Sequence, residues 1–300
     1  MAFGTKKDAR IMWRRVDTSS LDLKGIKVAI VGGTGGLGRA LSRLMASRGA
    51  SVIVVGQTFR DAGVPRIEFI QADLSLMREA KRVGEALPAE TLDIVIFTTG
   101  IFAGPKRETT GDGIERDLAV SYLNRLVILN AIAPRLGTAR TAARMKPRIF
   151  VMGYPGTGQA GTVDDLNAEK SYKAMPAHMN TVAGNEVLVL DAAARYPHLT
   201  VFGLNPGLHK TDIRNNLLGD TLKARLMEWM IGLLTSTPET YAQRIVPLIV
   251  SPDLETHSGA MFDQQGNAIL PSPKLTDASY RKAFVAASAA LVNRAGVRLA

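Results

Sequence analysis

The chain contains no cysteine. That excludes disulfide cross-links, thiolate metal sites and a thiol nucleophile. Histidine is nearly as scarce, with four scattered copies, so an imidazole-rich metal centre is not expected either. No run of about 18 apolar residues is present, and with it no segment suited to crossing a bilayer. The first twenty residues are basic but lack the apolar stretch of a secretory signal, and the cytoplasm is the expected compartment. Acidic charge is in short supply: 27 Asp and Glu face 37 Lys and Arg, for a formal net charge of +10. The excess crowds at the two ends, at Lys6, Lys7, Arg10, Arg14 and Arg15 and again at Arg281, Lys282, Arg294 and Arg298. No nucleic-acid motif or aromatic-interleaved basic stripe accompanies it. Solvated tails and a pocket that attracts phosphates account for the charge better than a nucleic-acid partner.

Core-forming residues and glycine are plentiful, at 46% hydrophobic content and 28 glycines in 300 residues. One large domain of this length can bury a substantial core. We expect a basic N-terminal extension over 1–24 and a single domain over 25–300. The most informative run is IKVAIVGGTGGLG at residues 26–38. A β-branched strand meets a glycine-rich turn, which opens into a helix. Gly32, Gly36 and Gly38 stand at a G-x-x-x-G-x-G spacing. So tight a turn needs positions without a Cβ, where the backbone can approach a pyrophosphate and rest it on a helix N-terminus.

Strand and helix patterns alternate from residue 26 to about 205. Strands are expected at 26–31, 51–55, 67–71, 93–98, 148–152 and 200–204, and helices at 39–48, 76–86, 114–136 and 176–195. The alternation predicts an α/β fold, a doubly wound parallel sheet with helices on both faces. Ligands in such sheets bind beyond the C-terminal strand ends. Further on, 211–236 carries an apolar face (Leu217, Leu218, Leu222, Leu226, Trp229) and reads as a substrate lid. Thr237 and Pro238 form a helix start, 259–263 reads as a last strand, and 277–294 as a terminal helix. The long helices 114–136 and 176–195 offer a face for a symmetric homodimer, or simply cover the sheet.

VGGTGGLG, followed by Asp73-Leu74, by a strand ending in Thr98-Thr99-Gly100, and by Asn205-Pro206-Gly207-Leu208-His209-Lys210-Thr211, resembles the short-chain dehydrogenases/reductases over roughly residues 25–265. The resemblance implies a Rossmann-like NAD(P)-binding domain. It places Gly32, Gly36 and Gly38, with their neighbours Thr34, Gly35 and Leu37, around the pyrophosphate. It puts Asp73 and Leu74 at the adenine, and Thr99, Gly100, Pro206, Gly207 and Thr211 on the nicotinamide side. Cofactor type follows from charge. An acid at the end of the second strand binds a ribose 2′-hydroxyl and repels a 2′-phosphate. Here that end reads Val55-Gly56-Gln57-Thr58-Phe59-Arg60, with no carboxylate before Asp61. Gln57 and Thr58 can hydrogen-bond a phosphate and Arg60 can pair with one, which favours NADP over NAD.

The catalytic positions depart from the family. Residues 178–185, HMNTVAGN, align with its Y-x-x-S-K-x-x-N, so His178 stands for the tyrosine and Val182 for the lysine. Gly153-Tyr154-Pro155-Gly156 occupies the place of the serine, and Ser121 that of the helix asparagine. An imidazole exchanges protons near neutrality without help. His178 is therefore the candidate acid or base, with Tyr154 and Ser121 as candidates to orient a substrate oxygen. The adjacent pair Tyr172-Lys173 is a weaker substitute, because it breaks the spacing to Asn185. The function expected is an atypical NADP-dependent oxidoreductase for a small, largely apolar carbonyl or alcohol. The alternatives are a non-redox isomerase, dehydratase or cyclase with a structural cofactor, and a non-catalytic NADP sensor.

Overall fold

The computed structural model describes residues 4–141, 145–207 and 237–299. Its centre is a sheet of strands rich in valine and isoleucine: β1 Lys27–Val31, β2 Ser51–Gly56, β3 Ile67–Gln71, β4 Ile94–Phe97, β5 Arg148–Met152 and β6 Thr200–Leu204, with short β7 Met261–Phe262 and β8 Ala268–Ile269. The spatial order is β3-β2-β1-β4-β5-β6-β7-β8. Pairing is parallel up to β7 and antiparallel between β7 and β8. β4, β5 and β6 are buried along their whole length, as expected of strands covered on both faces. Alternate residues feed separate cores. Val28 and Ile30 point to one side, Ala29 and Val31 to the other.

The helices that cover the sheet are α1 Gly36–Ser47, α2 Met77–Ala86, α3 Arg116–Leu118, α4 Asn124–Ile132, α5 Ala174–Arg195, α6 Pro238–Val250 and α7 Ala278–Arg294. α1 packs on α6; α2 packs on α4, and α7 on α5. Thr237 caps α6 by accepting from the Thr240 amide, and Asp277 caps α7. Among the described residues no helix is long and apolar enough to cross a membrane, and no cluster of potential metal ligands occurs.

Two expectations change. The single helix over 114–136 begins only at Arg116 and is interrupted by a π-helical turn at Ala119–Leu123. The Asn124 side-chain amide donates to the Ala119 and Val120 carbonyls and competes with the regular backbone ladder there. A 3-10 turn, Ala133–Arg135, ends the run. The strand expected at 259–263 shrinks to two residues, and β8 is an addition that two residues of pattern could not reveal. Of the two long helices, α4 is buried nearly all round and α5 is buried throughout 180–189, with α2 against α4 and α7 against α5. The substrate lid expected at 211–236 and Thr211 lie outside the described residues.

The N-terminal extension packs on its own domain. Asp8 donates its amide to the Ala268 carbonyl at 2.9 Å, and Leu270 donates to Lys6 at 2.8 Å, so residues 6–8 cover the edge of β8. Trp13 follows, its Nε1 donating to the Gly266 carbonyl at 2.7 Å. Gly266 has φ +74°, and its bare α-carbon lets the indole lie against it. Trp13→Ala removes both the packing and the hydrogen bond. It should cost about 2 kcal/mol in urea unfolding while leaving nucleotide binding unchanged.

Candidate active site

The C-terminal ends of β1, β2, β4 and β5 open into one cavity of about 750 Å³. Every described residue expected from the sequence to bind cofactor lines it, as do His178, Tyr154 and Ser121. The floor is the glycine turn. Gly32 has φ +94°, and a Cβ there would lie 2.6 Å from the Thr99 amide nitrogen. A Cβ on Gly38 would collide with the Gly32 carbonyl and Thr98 Oγ1. Gly36 has φ +48°. Gly35 caps α1 without any side-chain hydrogen bond, so first-turn amides of that helix remain for an anion. Gly33 alone of the five glycines faces away, toward Val54.

At one end stand Gln57, Thr58, Arg60, Asp73 and Leu74. Exposed Arg60 reaches back to the glycine turn, its Nη1 3.7 Å from where a Gly35 Cβ would be. The nearby acid, Asp61, is buried and committed elsewhere. Arg39 clamps it with contacts of 2.7 and 2.9 Å, and Arg43 adds one of 2.8 Å. The hydrogen bonds from Arg39 hold its carboxyl below the usual range against the cost of burial. Asp73 Oδ1 accepts from the Ser75 amide at 3.0 Å and from Gln57 Nε2 at 3.1 Å. Burial works against its charge, but these donors outweigh it and hold the carboxyl low.

The other end is built by the run through α3, the π turn and α4, by α5, and by the loops after β4 and β5. His178, on α5, brings Nδ1 to 2.6 Å from Asp117 Oδ2. Asp117 is fully buried. Its second oxygen accepts from Ser121 Oγ at 2.5 Å, and the same hydroxyl accepts from the Ile101 amide at 3.0 Å. Ser121 thus lines the cavity with its hydroxyl held by Asp117 and by the Ile101 backbone. The Phe102 ring lies 4.1 Å from the imidazole, centroid to centroid. Between them, Asp117 and Phe102 fix the ring and leave Nε2 as its second functional atom. Tyr154 borders the cavity beyond β5, and Val182 gives it an apolar wall. Tyr172 donates to the Gly104 carbonyl at 2.6 Å and takes no part in the cavity lining.

Sequence reasoning missed Asp117 and Arg125. Arg125 is 3% exposed. Its Nη1 donates to the Met152 carbonyl and to Asn185 Oδ1 (2.8 Å), and its Nη2 to the Thr99 carbonyl. Burial holds its pKa down to about 9, with the Asp117 charge acting the other way. The available signal was a polar residue every four positions, Asp117, Ser121 and Arg125, along a largely apolar run. Asn185 completes the network, donating to the Ser121 and Thr181 carbonyls at 2.9 and 2.8 Å.

No family model matches the chain. It is 52% identical over 295 residues, 97% of this chain and 95% of the relative, to "Uncharacterized oxidoreductase YKL107W" of Saccharomyces cerevisiae. It is 26% identical over 280 residues, 83% of this chain and 81% of the relative, to retinol dehydrogenase 14 of Homo sapiens. In structure it resembles a short chain dehydrogenase from Salmonella enterica, with a TM-score of 0.59 at 18% identity, covering 85% of this chain and all of the other.

Gly35 tests whether the turn is a phosphate cradle. Its φ of −153° and ψ of 167° suit any residue, and little surrounds an added Cβ. Gly35→Val should keep the melting temperature within a few degrees and abolish dinucleotide binding by calorimetry. Unchanged affinity would make the turn a connection only.

Proposed function

The chain belongs to the short-chain dehydrogenase/reductase family of NAD(P)-dependent oxidoreductases, and we propose that it works with NADP(H) on a small, largely apolar carbonyl or alcohol, with His178 as its acid–base group. The observation that carries the reading is the 2.6 Å contact between His178 and buried Asp117, in the cavity that also holds the glycine turn. The residues present fit a dinucleotide. The turn is bare where side chains would fill it. Gly32 to Gly38 and the start of α1 would hold the pyrophosphate, Asp73 and Leu74 the adenine. Thr99, Gly100, Pro206 and Gly207 would border the nicotinamide. Gln57, Thr58 and Arg60 would receive a 2′-phosphate, while Asp61, neutralised by two arginines, is unavailable to repel one.

When bound, the dinucleotide supplies or accepts the hydride. The chain's own residues handle the proton and the orientation. Asp117 keeps the proton of neutral His178 on Nδ1 and supports the imidazolium when it forms. Nε2 then exchanges a proton with the substrate oxygen. Tyr154 orients that oxygen. Val182 and Phe102 exclude water and suit an apolar substrate. All four of the family's usual catalytic positions are substituted in this reading, and a histidine–aspartate pair does the work of its tyrosine–lysine pair. The non-redox and sensor alternatives draw no support from relatives named as oxidoreductases and dehydrogenases.

Two measurements test this. Titration calorimetry should give tighter binding of NADP+ than of NAD+, and Arg60→Ala should lower NADP+ affinity about tenfold, as expected for loss of one charge-assisted contact. Equal affinities for the two nucleotides would overturn the NADP assignment. In a screen of aldehydes and ketones followed by loss of reduced-nicotinamide absorbance, His178→Ala should slow turnover about 10²–10⁴-fold and remove the imidazole limb of the pH–rate profile. Asp117→Asn should slow turnover as well, with nucleotide affinity intact. Full activity in His178→Ala would place the proton donor elsewhere.

A further inference from the structure

The proposed chemistry leaves Arg125 without a role. Burying a cation is costly unless something requires it, yet this one sits in the cavity wall at the ends of β4 and β5. Its hydrogen-bond partners are neutral: two backbone carbonyls, Asn185 and, at 3.4 Å, the Thr99 hydroxyl. Among the described residues no carboxylate contacts it. With a pKa of about 9 it is charged at neutral pH. Asp117 acts on it only at a distance, with both oxygens taken by Ser121 and His178, and Asp117 does not line the cavity. Buried Glu115 accepts from the amides of Asp117 and Leu118 and is likewise absent from the wall. The other charged residues in the wall are Arg60 and Asp73 at the adenine end and Arg116, which is half-exposed and paired with Glu108. Among the described residues, the cavity wall at the end that holds His178 carries the Arg125 cation and no carboxylate, Asp117 lying behind the imidazole.

We propose that Arg125 makes this site discriminate between the two oxidation states of the nicotinamide, binding the reduced, uncharged ring more tightly than the oxidised, cationic one. The proposal rests on the NADP(H) reading above. The two forms share every phosphate, so the glycine turn and Arg60 bind them alike. They differ by one positive charge on the ring, and Arg125 opposes that charge. Carbonyl reduction would use the form that binds more tightly: the carbonyl carbon would gain a hydride from NADPH, which becomes NADP+, and the carbonyl oxygen a proton through His178. Two like charges several ångströms apart in a partly buried site discriminate by about tenfold.

Calorimetry with NADPH and NADP+ separately tests the proposal without a substrate. The wild type should bind NADPH about tenfold tighter. Arg125→Lys should keep that ratio, and Arg125→Met should bring it toward one. Val182→Lys, which adds a cation to the same cavity lining, should restore the preference in the Arg125→Met background and widen it in the wild type. Should Arg125→Met fail to fold, Arg125→Gln, which keeps hydrogen-bond donors without the charge, decides the matter by the same ratio. Equal affinities in the wild type, or a ratio unmoved by both Arg125→Met and Val182→Lys, would overturn this inference alone. Failure of the wild type to bind either nucleotide would overturn the NADP(H) reading and this inference with it.

Discussion

The site depends on how closely β1 and β4 approach at the point where the chain reverses its direction across the sheet. β2 and β3 lie on one side of β1, and β4 and its successors on the other, so the connections diverge and leave a crevice above β1. Thr98 donates both its amide and its hydroxyl to the Val31 carbonyl, at 2.8 and 3.1 Å. That places Thr98 and Thr99 where any side chain on Gly32 or Gly38 would be. Missing Cβ atoms are thus a packing requirement before they are a binding feature. The same constraint brings the turn after β1 to one bank of the crevice and Thr99, Gly100 and Ile101 to the other.

Arg125 ties the second bank together. Through the Thr99 and Met152 carbonyls it joins the ends of β4 and β5 to α4, and through Asn185 it joins them to α5. Met152 ends β5 and Thr99 lies beyond β4, and a buried acceptor left there without a donor costs about 1–3 kcal/mol. The π turn belongs to the same arrangement. One extra residue in the helical turn advances the following residues around the axis by about 100°, which allows Asp117, Ser121 and Arg125 to serve one cavity despite a spacing that drifts on a regular helix.

The strands and the glycine turn were legible because burial on both faces leaves a dense β-branched run, and because a turn without Cβ atoms has one common use. The cavity lining around the turn followed from it, since those residues sit directly after strands. The catalytic end was half legible. His178 could be placed by register against a known pattern, but its partner is 61 positions away on another helix, and nothing local marks the pair. Asp117 and Arg125 look like a polar stripe on an amphipathic helix. Only the packing of α2 over α4 turns that stripe inward. The N-terminal extension was legible as charge but not as structure, because three residues paired at a sheet edge carry no periodicity.

In the proposed reading, with His178 and Val182 standing for the family's tyrosine and lysine, the two replacements make sense as one exchange. A tyrosine hydroxyl has an ordinary pKa near 10, and a cation beside it favours the phenolate and brings it toward neutrality. An imidazole needs the opposite help, because its charged form is the cation. Lys at 182 would stand one helical turn from His178 on the same face and oppose the imidazolium. Val182 removes that repulsion, and Asp117 supplies the anion that the imidazole can use. The cation is not lost from the site. It stands at Arg125, eight residues along the chain from the carboxylate that holds His178, where it can bear on a ligand in the cavity while Asp117 remains the charge in contact with the imidazole.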